Sequence, residues 1–311
     1  MRRGVVASAA VAATLALGLA GCGEVKEPRG SSQPQGASLR ITLGTQEFPE
    51  GRILGELWRQ VLAVNGYAVD LRKGVGPAED LDAALKADEV DGYVAYTGTV
   101  LSVVAGEDPS GLDPEETYDA VREFYAGQDM VVSPMTPFEN TDAVATTAAY
   151  AEERGLTSIG DLADVPGLRL GGRPEFEDLD LGLAGLRSTY GLDDVEFTPI
   201  PLGEQYAALD RGEVDAVDAF TTDPALRDGD YRLLDDDERL FGSQNVVMVV
   251  GEEKLAEIDD ERFLAVVDSV NALLTEEVVV DLNAAVEQGR EEESVARTFL
   301  RENDLLERYR G

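Results

Sequence analysis

The sequence predicts a two-lobed α/β protein, each lobe a mostly parallel sheet flanked by helices. An internal repeat carries the first half of that expectation. Leu85-Lys86-Ala87-Asp88-Glu89-Val90-Asp91 returns as Leu209-Asp210-Arg211-Gly212-Glu213-Val214-Asp215, and the copies run on to Ala95-Tyr96-Thr97 and Ala219-Phe220-Thr221. Upstream, Ile41-Thr42-Leu43-Gly44 is echoed by Leu168-Arg169-Leu170-Gly171. The order of elements carries the second half. Each copy reads as strand, glycine-containing loop, helix, second strand, short helix, then a third strand with Thr at its end. Alternation of that kind builds βαβ units, and two copies build two similar lobes.

Taken in order, the chain opens with Met1-Arg2-Arg3, an apolar run to Leu19, and small residues before Cys22. Charged, apolar and small-residue zones in that order make an export signal over residues 1–21. Leu19-Ala20-Gly21-Cys22 resembles the lipobox of bacterial lipoproteins, in which the Cys becomes the first mature residue and carries the lipid. Residues 23–38, rich in Gly, Ser, Pro and Gln, are expected to be a flexible tether. The first lobe is expected over 39–138 and 245–311, the second over 139–244. The chain should cross between them near 137–141 and return near 241–245. Ile53, Leu54, Leu57, Trp58, Val61 and Leu62 form an apolar stripe at helical spacing, which makes Trp58 a core residue. Residues 246–250 read as a buried strand. The remainder, with Phe263, Val266, Val267, Val270, Val295 and Phe299 at helical spacing, should pack as helices on the first lobe. Asp235-Asp236-Asp237-Glu238 lacks the spacing of a calcium loop and reads as a solvated turn.

Composition narrows the function. Beyond the leader roughly 290 residues remain, enough for one large domain or two ordinary ones. Asp and Glu total 62 against 26 Lys and Arg, a formal net charge of −36. Such a surface repels nucleic acid and anionic headgroups, so the lipid is the expected membrane contact. There is no His and only one Cys. That removes the commonest general base and metal ligand, and every Ser-His or Cys-His arrangement. No G-x-S-x-G elbow occurs either. The expectation is a binding protein with no enzymatic activity, no cofactor and no metal. In open α/β sheets, ligands sit outside the carboxyl ends of the strands. The cleft segments should therefore be 44–48 and 93–99 from one lobe, and 171–176 and 218–223 from the other.

Six segments then carry a family resemblance: GTQEFPEGRILGELW, VDGYVAYTGT, SIGDLADVPGLRLGGRPEF, GLAGLRSTYGL, YAALDRGEVDAVDAFTTD and LNAAVEQGREEESVARTFLREN. In that order they resemble the substrate-binding lipoproteins of ABC importers for glycine betaine, choline, carnitine and related osmoprotectants. The resemblance implies a periplasmic-binding-protein fold of the two-crossover type, closing by hinge motion around a quaternary ammonium ligand. It implies a monomer that hands its ligand to a permease and its ATPase at the outer face of the cell membrane. The alternatives are another cationic ligand, such as a basic amino acid or polyamine, or a ligand sensor on the same scaffold. By motif, Tyr96 with Thr97 and Thr99, Phe220 with Thr221, Gln46 and Asn140 correspond to ligand-binding positions. Tyr93 is a further candidate, with a core position as its alternative. Three positions differ from the family pattern. Asp142 and Gln244 stand where cage aromatics are expected, and Leu179 stands where an Arg is expected. Both Asp142 and Gln244 are kept as ligand-binding candidates.

Overall fold

The computed structural model describes residues 40–179 and 181–308. The leader, Cys22 and the tether lie outside the described residues. Ten strands form two five-stranded sheets. In chain order these are β1 (Arg40–Gly44), β2 (Ala68–Arg72), β3 (Gly92–Tyr96), β4 (Met130–Val132), β5 (Asp142–Thr147), β6 (Arg169–Gly172), β7 (Glu196–Pro199), β8 (Ala216–Phe220), β9 (Tyr231–Leu234) and β10 (Val246–Gly251). The first sheet has the order β2-β1-β3-β10-β4 and the second β7-β6-β8-β5-β9.

The two sheets are built alike. In the first, β1 pairs parallel with β2 and β3. In the second, β6 pairs parallel with β7 and β8. Next to each third strand lies one antiparallel strand, β10 beside β3 and β5 beside β8. That strand is in each case the first one made after the chain changes sheets. The sheets are therefore mixed, with a single reversed strand each.

The repeated Glu-Val-Asp has the same job in both. Asp91 accepts the Thr42 N–H on its carboxylate at 2.7 Å and donates its own N–H to Thr42 O at 2.8 Å. Asp215 does the same with Arg169, at 3.0 and 2.8 Å. Just before each motif the chain turns through a left-handed residue, Asp88 at φ 56° and Gly212 at φ 65°.

The helix Pro49–Val64 packs its apolar stripe, Trp58 included, against β1 and the C-terminal helices in one core that also holds Phe263, Val267, Val295 and Phe299. Trp58 Nε1 donates to Asn271 Oδ1 at 2.8 Å, giving the buried indole its partner. A second core under the same sheet contains Tyr93 and Tyr125. Two more cores cover the faces of the second sheet. Among the described residues no helix is long and apolar enough to cross a membrane.

The strand-like crossing segments lie side by side, with Glu139 bridged to Asn245 and the Asn140 N–H bonded to Gln244 O at 3.2 Å. Gly98 is needed where the return segment passes, because a Cβ there would sit 2.5 Å from Ser243 O. The Asp235–Glu238 run is more than a solvated turn. Asp236 accepts hydrogen bonds from the Tyr190 hydroxyl and from the N–H groups of Leu240 and Phe241.

Candidate ligand site

The strand ends of both sheets open onto one cavity of about 680 Å³. Lobe one contributes Gln46, Glu47 and Phe48 from the loop after β1, Asp80 from the helix Ala78–Lys86, and Tyr96 and Thr99 from the end of β3. Asn140 and Gln244 come from the crossing segments, and Asp142 and Phe220 from the paired ends of β5 and β8. Three aromatic rings thus converge from separate elements. Phe48 and Tyr96 lie 5.6 Å apart between centroids, tilted at 47°.

Beneath this wall sits a buried carboxylate. Glu50 Oε1 accepts from the Tyr96 hydroxyl at 2.8 Å and from Asn140 Nδ2 at 2.9 Å. Its Oε2 accepts from Asn283 Nδ2 at 2.9 Å, which also donates to Thr222 O at 3.1 Å. This carboxylate therefore ties the first lobe to a crossing segment, and through Asn283 to the second lobe. Burial and the Glu50 charge both push the Tyr96 hydroxyl well above its ordinary range, so it is a donor at any physiological pH. Gln46 Nε2 donates to Val94 O at 3.0 Å, while Gln46 Oε1 and Asn140 Oδ1 are buried without a partner among the described residues.

The second lobe supplies a guanidinium that sequence reasoning missed. Arg173 follows β6 and lies across the neighbouring strands. Its Nη1 contacts Asp218 Oδ1 and Asp142 Oδ1, each at 2.7 Å. Its guanidinium also lies 5.2 Å from the ring centroids of both Phe220 and Phe176. Burial drives the Asp218 carboxyl up to about 7, against the opposing pull of Arg173 and with help from the Asp142 charge. Leu179, the residue at the expected Arg position, is exposed and does not line the cavity. The available signal for Arg173 was its place in the cleft segment 171–176, beside β8, on which Asp218 and Phe220 share one face.

Seven of the ten sequence candidates surround the cavity: Gln46, Tyr96, Thr99, Asn140, Asp142, Phe220 and Gln244. Gln244 Oε1 also accepts the Thr99 N–H at 3.0 Å, fixing the return segment to the turn after β3. The other three lie elsewhere. Tyr93 is fully buried in the core, its hydroxyl bonded to that of Tyr125, because its side chain points to the face of β3 opposite Tyr96, covered by the helices Ala78–Lys86 and Pro114–Ala126. Thr97 and Thr221, equivalent in the repeat, both clamp crossing segments. Thr97 donates to Ser243 O at 3.3 Å, and Thr221 to Glu139 O at 2.7 Å. Phe48, within a predicted cleft segment but not singled out as a ligand residue, is the aromatic that sequence reasoning passed over.

Two α/β lobes joined by paired crossing segments around a strand-end cavity define the periplasmic-binding-protein class. A family model described as the substrate binding domain of ABC-type glycine betaine transport systems matches residues 40–302, and the chain belongs to this family. The chain is 32% identical over 286 residues to the glycine-betaine-binding protein of Pseudomonas aeruginosa, covering 88% of this chain and 90% of that one. It is 22% identical to the ergothioneine transport permease/ergothioneine binding protein of Helicobacter pylori, covering 84% of this chain and 47% of that one. A solved structure of a glycine betaine/carnitine/choline ABC transporter superposes with a TM-score of 0.79 at 23% identity, covering 86% of this chain and 100% of that chain, and so shares the fold.

Proposed function

We propose that this chain is the exported solute-binding lipoprotein of an ABC importer, and that it captures a quaternary ammonium compound of the glycine betaine or choline kind between its lobes. The observation that carries this reading is the convergence of Phe48, Tyr96 and Phe220 on one cavity whose lining includes Glu47, Asp80 and Asp142 but no Lys or Arg. A quaternary ammonium has no N–H to donate, so aromatic faces and nearby negative charge are what can hold it. Capture closes the lobes about the crossing segments, with one lobe comprising 39–138 and 245–311 and the other 139–244. The ligand passes unchanged to a permease and its ATPase. The protein works as a monomer without cofactor, anchored at the outer face of the membrane by lipid on Cys22. Replacing Cys22 by Ser should release the protein into the medium; retention would remove the lipid from the proposal.

Calorimetric titration with glycine betaine, choline, carnitine, ergothioneine, arginine and a polyamine tests the reading. Binding of a quaternary amine in the micromolar range or tighter, with ligand recovered intact, is the expected result. A second reading rests on the same three carboxylates, which can also accept hydrogen bonds from a primary ammonium or a guanidinium. Binding of arginine or a polyamine, with silence for every quaternary amine, would replace the first reading by the second.

A further inference from the structure

The guanidinium of Arg173 is the cationic group placed against this cavity's wall, and it is already engaged. Its side chain is 10% exposed. Asp218 and Asp142 both contact its Nη1 at 2.7 Å, and the ring of Phe220 covers it at 5.2 Å. Asp142 and Phe220 are themselves cavity residues and direct partners across β5 and β8. Asp142 thus sets a carboxylate of the protein where a ligand carboxylate would have to meet the guanidinium. Glu47, Asp80 and Asp142 on the lining make the cavity wall acidic.

We propose that the Asp142–Arg173–Asp218 triad is a specificity filter, in which Asp142 acts as a built-in carboxylate that makes the site select a quaternary monocation over a zwitterion. This rests on the quaternary ammonium reading above and narrows it to ligands lacking a carboxylate. A ligand carboxylate entering the cavity would have to displace Asp142 from Arg173 and then lie beside it, two like charges in a partly desolvated site. A cation with a neutral tail meets no such conflict, and the acidic lining attracts it. Selectivity here comes from a repulsive element as much as from an attractive one.

Choline and glycine betaine isolate the effect, because both carry a trimethylammonium head and differ in a hydroxymethyl group against a carboxylate. Calorimetric titration of the unmodified protein should show choline binding at least about tenfold tighter than glycine betaine. Asp142→Ala, and the near-isosteric Asp142→Asn, should narrow that ratio by strengthening glycine betaine and weakening choline, with folding checked by circular dichroism. Glycine betaine binding as tightly as choline to the unmodified protein would overturn the filter while leaving the quaternary ammonium reading in place. A ratio unchanged in both folded variants would overturn it as well. Silence for both ligands would remove the broader reading and the filter together.

Discussion

Truncating Phe48 is the cleanest perturbation of the proposed site, because the ring contributes to the cavity far more than to the core. Phe48 is 40% exposed and sits just before the helix Pro49–Val64, its ring tilted against that of Tyr96 at 5.6 Å. Phe48→Ala removes one of three aromatic faces. A face of this kind holds a cation with about 0.5–2 kcal/mol, so affinity for a quaternary ammonium ligand should fall roughly 2- to 30-fold. Burying a whole Phe is worth about 1.5–3 kcal/mol, and this ring is little more than half buried, so stability should drop by about 1–2 kcal/mol. Tyr96 makes the instructive contrast. It is only 6% exposed and belongs to the main core of the first lobe. Tyr96→Ala should cost about 3–5 kcal/mol for the cavity and about 1–3 kcal/mol more for the donor withdrawn from Glu50. Those two costs are a large part of a typical folding stability of about 5–15 kcal/mol. Titration calorimetry reads affinity, and urea denaturation reads stability. An unchanged affinity in folded Phe48→Ala protein would refute the placement of the ligand in this cavity. A fully stable Tyr96→Ala protein would refute the account of Tyr96 as a core residue bonded to Glu50.

Two further outcomes test the frame around the site. A Cβ at Gly98 would lie 2.5 Å from the backbone oxygen of Ser243. Gly98→Ala should therefore destabilise the protein by about 1–3 kcal/mol in urea denaturation, since a backbone group cannot rotate aside. An unaffected midpoint would mean that the crossing segments are not packed as described. Titration of Asp218 gives the pH prediction. Burial holds its carboxyl at about 7 in the folded protein, whereas an unfolded Asp titrates near ~3.9. The folded state binds more protons between those values, so this stabilisation is complete below the unfolded value and is lost as pH rises through the folded one. Burial raises Glu139 and Asp223 in the same direction. The melting temperature should fall between about pH 5 and about pH 8, and Asp218→Asn should flatten the slope. An identical slope in the unmodified and Asp218→Asn proteins would show that Asp218 does not take up the proton.

Much of this molecule is legible in the chain because local chemistry repeats. The stripe around Trp58, the C-terminal periodicity and the doubled Glu-Val-Asp each specify an element without reference to distant residues. The Asp of that motif bonds the backbone of the first strand in both sheets, which explains why it recurs. Candidates at strand ends were found where βαβ geometry puts them, as with Tyr96 and Phe220. Thr97 and Thr221, ligand-binding positions by motif, each follow such a strand end and bond a crossing segment. Being at a strand end does not distinguish a side chain facing the cavity from one bonded to a crossing segment.

The sequence by itself determined the two α/β lobes, because the repeat and the alternation of strands and helices are matters of pattern. It did not determine which charges meet. Asp142 on β5, Asp218 on β8 and Arg173 just after β6 are far apart in the chain, and only the order β6-β8-β5 brings both acids within 2.7 Å of Arg173. Family pattern pointed to position 179 for a cleft Arg, yet the guanidinium arrives from position 173 by another route. Glu50 reads as one acid among 62 Asp and Glu until folding buries it against Tyr96, Asn140 and Asn283. Pairing of buried charge is a property of three-dimensional proximity and desolvation, and neither can be read along a line of residues.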